Sequence, residues 1–134
     1  MMYFLDTNIC IYLLKGTFPN LEKKVLATPP SKIKIPSMVA AELLYGAWKS
    51  QKALETMEKI GRFLKPLKII PFDMEAAGYY GKVRAGLEQS GKMIGFNDMV
   101  IVATVLAYNG VLVTHNGGEF SRIEGLVIEN WTQG

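Results

Sequence analysis

The feature that most constrains the fold of this chain is the alternation of short apolar runs with longer segments of helical periodicity. We predict strands over residues 2–5, 32–35, 67–70, 111–114 and 126–128. We predict helices over residues 8–15, 19–27, 37–49, 52–64, 73–89 and 97–109, with Asn8, Ser37, Asp73 and Asn97 as N-caps and Gly16 and Gly91 as stops. Strand–helix alternation with short joins predicts an α/β fold with a mainly parallel sheet. Ligands of such sheets bind beyond the carboxyl ends of the strands.

Length and composition narrow the class of protein. The 134 residues fit one domain, which we expect to span residues 1–134. One cysteine, Cys10, and one histidine, His115, argue against a disulfide framework, a zinc module or a His-ligated metal. No run approaches the ~18–20 apolar residues that span a bilayer, and the first residues lack the pattern of a signal peptide. We therefore expect a cytoplasmic protein with no membrane partner.

The net charge of +3 is concentrated in one segment. Residues 49–68 carry six basic and two acidic side chains, whereas the rest of the chain carries nine basic and ten acidic ones. A local basic patch is compatible with a phosphate-rich partner. It is equally compatible with the solvated face of an ordinary helix.

Three carboxylates stand in unusual positions. Asp6 follows the first predicted strand, and Asp98 lies in the first turn of the most apolar helix. Glu42 is the only charged residue between Ile35 and Trp48, so no cation three or four positions away can pair with it. Acids in apolar surroundings are costly unless they are paired, hydrogen-bonded or bound to a metal.

Each of the three acids also has an interpretation in which it serves only the structure. Asp98 could complement the helix dipole, Asp6 could form a turn at the strand end, and Glu42 could pair with a distant Lys or Arg. All three readings would have to hold at once, and a shared divalent cation explains the three acids together. An all-oxygen ligand set without His or Cys selects Mg²⁺ or Mn²⁺ over Zn²⁺. Such a site supports hydrolysis of a phosphate ester.

Five segments, in order along the chain, resemble the PIN-domain nucleases, specifically the VapC-type toxins of toxin–antitoxin modules. The segments are Phe4-Leu5-Asp6-Thr7-Asn8, Ala41-Glu42-Leu43-Leu44-Tyr45-Gly46-Ala47, Ile94-Gly95-Phe96-Asn97-Asp98, residues 112–120, and residues 125–131.

The resemblance implies a compact α/β/α sandwich with a central, mainly parallel sheet. It implies that Asp6 and Asp98 are metal ligands for Mg²⁺ or Mn²⁺ and that Glu42 is the third acid, as a ligand or a water-orienting base. It implies a selective endoribonuclease whose RNA targets are commonly tRNA or ribosomal RNA. It further implies a homodimer and a toxin–antitoxin hetero-oligomer formed with an inhibitory VapB-type antitoxin.

The fourth position of the site departs from the family pattern. Many relatives carry an acid where this chain has Asn116, and the nearest acid here is Glu119. We expect Asn116 to support the site by hydrogen bonding, with Glu119 assisting at longer range. Thr114, Thr7 and Asn8 are candidates for the same supporting role.

Two other functions stay open from the sequence: a non-catalytic PIN-like module that binds RNA or a protein, and a Mg²⁺-dependent DNA nuclease. Of the remaining notable side chains, His115 is interpreted as a loop residue, Trp131 and the Tyr79-Tyr80 pair as packing residues, and Cys10 as buried and inert. Tyr45 and Trp48, three positions apart on a predicted helix, form either an interface patch or part of the core.

Overall fold

The computed structural model describes residues 1–133, in which five strands alternate with seven α-helices. The strands are β1 (Tyr3–Leu5), β2 (Ile33–Pro36), β3 (Lys68–Ile70), β4 (Val111–Val113) and β5 (Val127–Glu129). The helices are α1 (Thr7–Lys15), α2 (Pro19–Leu26), α3 (Ser37–Lys49), α4 (Ala53–Leu64), α5 (Met74–Ser90), α6 (Phe96–Ala107) and α7 (Gly117–Phe120). A 3₁₀ turn over Pro30–Lys32 precedes β2. None of the helices in residues 1–133 is long and apolar enough to cross a lipid bilayer.

The five strands form one parallel sheet in the order β3-β2-β1-β4-β5. Tyr3 of the central strand lies level with Ile33 on one side and Val111 on the other. The chain first moves outward from β1 to β3 and then returns to β4 and β5. Because such crossovers are almost always right-handed, this reversal puts helices on both faces of the sheet. The predicted α/β/α sandwich is confirmed.

The reversal also creates the place where a ligand can bind. β1 and β4 are neighbours, but the connections that leave them run in opposite directions. At such a switch point the loops beyond the carboxyl ends separate and leave a crevice. Asp6 follows β1 and Thr114 follows β4, so both border this crevice.

Two helix starts differ from the sequence prediction. Asp6, and not Asn8, caps α1, because the chain turns from strand to helix immediately after Leu5. Helix α6 begins at Phe96 after the extended Gly95, so Asn97 lies inside the first turn and does not cap it.

Of the remaining predicted caps, the one at Ser37 is wrong, because Pro36 occupies the N-cap position and Ser37 is the first residue of α3. The Ser37 Oγ instead accepts a hydrogen bond from the Phe72 N–H at 3.3 Å. The caps at Asp73, Gly16 and Gly91 are confirmed, and both glycines have positive φ. Gly117-Gly118 begin the short helix α7, for which no helix was predicted.

Gly110 is required by close packing at the start of β4. A Cβ atom at this position would lie 2.5 Å from the ring of Phe4. Phe4 is fully buried and its ring also packs on Tyr108 at 5.9 Å between centroids. The ring therefore has no free space into which it can move.

We expect Gly110→Ala to lower the free energy of unfolding by about 1–3 kcal/mol, the usual cost of overpacking a core. Urea denaturation measures the change. Gly78→Ala is the matched control, because a Cβ there meets nothing within 4 Å on the surface of α5. The control should stabilise the protein by about 0.5–1 kcal/mol, as Ala does in a helix interior. Equal effects of the two substitutions would contradict the packing argument.

Candidate active site

Asp6 is fixed at the carboxyl end of the central strand. Its backbone N–H donates to the Val113 carbonyl oxygen at 3.2 Å, which extends the β1–β4 pairing by one residue. Its Oδ1 accepts a hydrogen bond from the Ile9 N–H at 2.9 Å and so caps α1. The residue is only 6% exposed. The capping interaction uses one of the two carboxylate oxygens.

Glu42 of α3 is held by two neutral donors from other helices. The Thr7 hydroxyl donates to Oε1 at 2.5 Å, and the Asn97 side-chain amide donates to Oε2 at 3.4 Å. These contacts join α1, α3 and α6 at one carboxylate. The alternative reading, a distant cationic partner, is wrong for residues 1–133, where each ion pair joins residues three or four apart on the chain.

Asp98 lies in the first turn of α6, half-buried beside the crevice. Burial raises its pKa to about 6, and the negative charges of Glu119, Glu42 and Asp6 add to this effect. The helix dipole alone would have stabilised the charged form. The four acids therefore share one electrostatic environment, although they come from four separate parts of the chain.

Asp6 responds to the same environment. Burial raises its pKa above the ordinary value, and the charge of Glu42 acts in the same direction. Hydrogen bonding by the Thr114 hydroxyl and the Ile9 N–H lowers it, as does the nearby His115. The net shift is upward, so the isolated protein holds this carboxylate at an electrostatic cost.

Asn116 and Glu119, the two candidates for the fourth position of the site, are joined by a hydrogen bond. The Asn116 side-chain amide donates to Glu119 Oε2 at 2.7 Å. The Asn116 backbone N–H donates to the Thr114 hydroxyl oxygen at 3.0 Å. Of the charged neighbours of Asp98, Glu119 raises the pKa of Asp98 most. The short helix α7, together with Asn116, turns the Glu119 carboxylate toward the crevice.

The acids offer oxygen donors but do not enclose an ion by themselves. Among residues 1–133, no three carboxylate, imidazole or thiolate groups are close enough together to coordinate one metal ion directly. Mg²⁺ keeps several of its waters and binds through one or two carboxylates, so an open arrangement suits it. The donor set is hard and entirely oxygen, and no cationic side chain in the described residues pairs with it. The residues therefore fit a hydrated divalent cation.

Other side chains singled out in the sequence have mixed outcomes. Asn8 is exposed and forms no side-chain hydrogen bond to the acids within residues 1–133. His115 is an exposed loop residue, as predicted, and its Nδ1 is 3.0 Å from the Thr132 hydroxyl oxygen. Tyr45 and Trp48 are 64% and 68% exposed, so of the two alternatives for this pair the core is wrong.

Two further predictions from the sequence are confirmed. Cys10 is fully buried, and burial raises the pKa of its thiol well above the ordinary value. Trp131 is 4% exposed and packs on Tyr3 with 5.1 Å between ring centroids.

Sequence reasoning missed one residue of the site, Asn97. It was interpreted as a helix cap, yet its amide donates to Glu42 across 55 positions of the chain. Its position directly before Asp98 was the available signal.

The raised pKa of Asp98 predicts how the metal-free protein responds to pH. The folded protein binds this proton more tightly than the unfolded chain, whose Asp pKa is about 3.9. The stability contributed by protonated Asp98 is therefore lost as the pH rises from about 4 to about 6. In EDTA, the melting temperature should fall between pH 5 and pH 7, and Asp98→Asn should flatten this fall and melt higher at pH 7. An unchanged slope in the variant would contradict this interpretation.

Comparison with known proteins agrees with the geometry. The family model for the PIN domain matches residues 3–126. Ribonuclease VapC2 of Rickettsia felis is 44% identical, over 98% of this chain and 98% of that protein. The tRNA(fMet)-specific endonuclease VapC of Shigella flexneri is 33% identical, over 98% of this chain and 99% of that protein.

Solved structures give the same result at the level of the fold. VapBC2 from Rickettsia felis, bound to a DNA fragment from its promoter, matches with a TM-score of 0.90 and 42% identity, over 98% of this chain and 99% of that chain. DNA-bound VapBC from Salmonella typhimurium matches with a TM-score of 0.93 and 32% identity, over 98% of each chain. The chain therefore belongs to the PIN-domain family, and the Rickettsia felis and Shigella flexneri relatives that match it over their full length are VapC nucleases.

Proposed function

We propose that this chain is a Mg²⁺-dependent endoribonuclease, with Mn²⁺ as a substitute ion, and the toxin of a type II toxin–antitoxin pair. The observation that carries the proposal is the group of four acids at the β1–β4 switch point, with which no Lys or Arg forms an ion pair in residues 1–133. The candidate substrate class is tRNA, because two of its relatives are named tRNA(fMet)-specific endonucleases.

Asp6 and Asp98 are the residues proposed to hold the ion, and Glu42 and Glu119 are proposed to accept hydrogen bonds from water around it. When bound, Mg²⁺ supplies a Lewis acid that activates water and stabilises negative charge on a phosphoryl oxygen. The residues fit this role because they offer only oxygen donors and because Asp6 and Asp98 already bear an electrostatic cost that a cation would relieve.

Glu42 is proposed to orient the attacking water and to receive its proton. The hydrogen bonds from Thr7 and Asn97 to its two oxygens restrain the orientation of the carboxylate. Hydrolysis then forms a bond from the water oxygen to phosphorus and breaks the bond to one ester oxygen, which takes a proton from solvent and leaves as an alcohol. Asp6 is restrained in a similar way by the Ile9 N–H, which fixes the orientation of its carboxylate.

The partners follow from the same relatives. Solved neighbours of this chain are VapBC complexes, which supports a cognate VapB-type antitoxin and a toxin–antitoxin hetero-oligomer for this chain. A homodimer is proposed as well, and the exposed Tyr45 and Trp48 of α3 offer apolar surface for a protein contact. Residues 1–134 are proposed to act as one nuclease domain in the cytoplasm, where RNA substrates are made.

We expect Asp6→Asn, Glu42→Gln and Asp98→Asn each to lower cleavage of a tRNA substrate roughly a hundredfold or more, because each removes a charge that the reaction uses. Cleavage should stop in EDTA and return with Mg²⁺. Asp73→Asn is the matched control, since this acid only caps α5. Circular dichroism verifies that the variants fold.

Two outcomes would contradict the proposal. Full cleavage in EDTA would exclude the metal, and normal cleavage by Asp98→Asn would reduce Asp98 to a helix-terminal charge. Parallel assays on duplex DNA test the DNA nuclease alternative. Binding of RNA without cleavage under any condition would favour the non-catalytic alternative.

The hydrogen bond between Asn116 and Glu119 predicts that these residues act as one unit. We expect Asn116→Ala and Glu119→Gln each to slow cleavage about 10–100-fold, the usual loss when a supporting contact is removed from a metal site. If Asn116 acts by positioning Glu119, the double variant should be no worse than the slower single variant. Rates measured as a function of Mg²⁺ concentration test this. Losses that multiply in the double variant would show that the two residues act independently.

A further inference from the structure

A cleft of about 550 Å³ lies between helix α2 and the segment after β5. Its lining includes Asn20, Lys23, Lys24, Glu129, Asn130 and Trp131. Neither lysine forms an ion pair within residues 1–133. The cleft therefore combines free cationic groups with side chains that can both donate and accept hydrogen bonds.

Hydrogen bonds connect this cleft to the acidic site. The Thr114 N–H donates to the Glu129 carbonyl oxygen at 3.0 Å, which puts the end of β5 next to the end of β4. His115 Nδ1 lies 3.0 Å from the Thr132 hydroxyl oxygen, and that hydroxyl donates to Asn130 Oδ1 at 2.6 Å. His115 and Thr114 also border Asp6. Residues that line the cleft are thus linked by hydrogen bonds to residues that border Asp6.

The internal contacts of the cleft leave its recognition groups in fixed positions. The Trp131 indole N–H donates to Glu129 Oε1 at 2.9 Å, which leaves the other carboxylate oxygen available as an acceptor. The Lys24 ammonium lies 5.8 Å from the centre of the Trp131 ring. Because Trp131 is 4% exposed, its ring offers no stacking surface. The groups of the cleft that can recognise a ligand by charge and hydrogen bonding are therefore its lysines and its polar side chains.

We propose that the cleft binds one nucleotide of the RNA substrate, next to the phosphate that is cut. This inference rests on the proposed ribonuclease function. Lys23 and Lys24 bind a backbone phosphate, and Asn20, Asn130 and Glu129 contact the edge of the base. Single-stranded RNA offers both groups, since its unpaired bases expose hydrogen-bonding edges.

The direct test is binding of nucleotides in EDTA, where the acidic site has no metal to attract a phosphate. The probes are the four nucleoside 5′-monophosphates, with inorganic phosphate as the comparison. We expect at least one nucleotide to shift the indole N–H resonance of Trp131 and the side-chain amides of Asn20 and Asn130, with a dissociation constant on the order of 1 mM. Trp48→Phe identifies the Trp131 resonance, because the chain has only two tryptophans.

The matched variants are Lys23→Ala/Lys24→Ala and the control Lys32→Ala/Lys82→Ala, which removes the same charge from exposed positions outside the cleft. The first variant should abolish the nucleotide shifts. In cleavage assays it should raise KM at least about fivefold with little change in kcat. The slope of log affinity for a single-stranded RNA against log salt should fall by about 0.7, as expected when contact with one phosphate is lost. The control should leave all of these values unchanged.

Three results would overturn the proposal. The first is that no nucleotide shifts the Trp131 resonance. The second is that inorganic phosphate produces the same shifts, which would indicate a plain anion site. The third is that the cleft variant loses binding to the antitoxin while its KM for RNA is unchanged. If wild-type protein cleaves no RNA, the proposed function fails, yet the nucleotide titration in EDTA still decides whether the cleft binds a nucleotide.

Discussion

The burial of several carboxylates at one end of the sheet is the constraint on which the rest of this structure depends. Asp6 is nearly inaccessible, and the pKa of Asp98 rises to about 6 because burial and three neighbouring acids disfavour its charged form. A protein that kept these acids only for stability would gain by replacing them with amides, because neutral side chains of the same shape avoid the repulsion. Their presence is explained when a cation is bound during function.

The surrounding residues restrain the acids with neutral donors. Thr7 and Asn97 hold Glu42, the Ile9 N–H holds Asp6, and Asn116 holds Glu119. A lysine or arginine in any of these places would neutralise the site and compete with a metal ion. Amides and hydroxyls instead orient the oxygens and leave the negative charge available. The sheet topology also contributes, because the switch point between β1 and β4 opens the crevice in which the four acids lie.

Much of this arrangement could be predicted from the sequence, for identifiable reasons. The sequence predicted the five strands because hydrophobic periodicity is a local property of the chain. It also indicated the unusual acids, Asp6, Asp98 and Glu42, because the charges of neighbouring residues are local as well. The contact between Asn97 and Glu42 was not, because it joins residues 55 positions apart. Helix α7 was missed because four residues that begin with two glycines carry no helical periodicity. The hydrogen bond between Asn116 and Glu119 depends on that helix, so it was not predicted either.

The central claim is that Asp98 and its neighbours hold a divalent cation, and calorimetric titration of Mg²⁺ into the metal-free protein tests it most directly. At pH 7.5, above the raised pKa of Asp98, the wild-type protein should show saturable binding. Asp98→Asn should weaken that binding at least about tenfold, and Asp73→Asn should leave it unchanged. Absence of binding to the wild-type protein, or equal affinity in Asp98→Asn, would contradict the account.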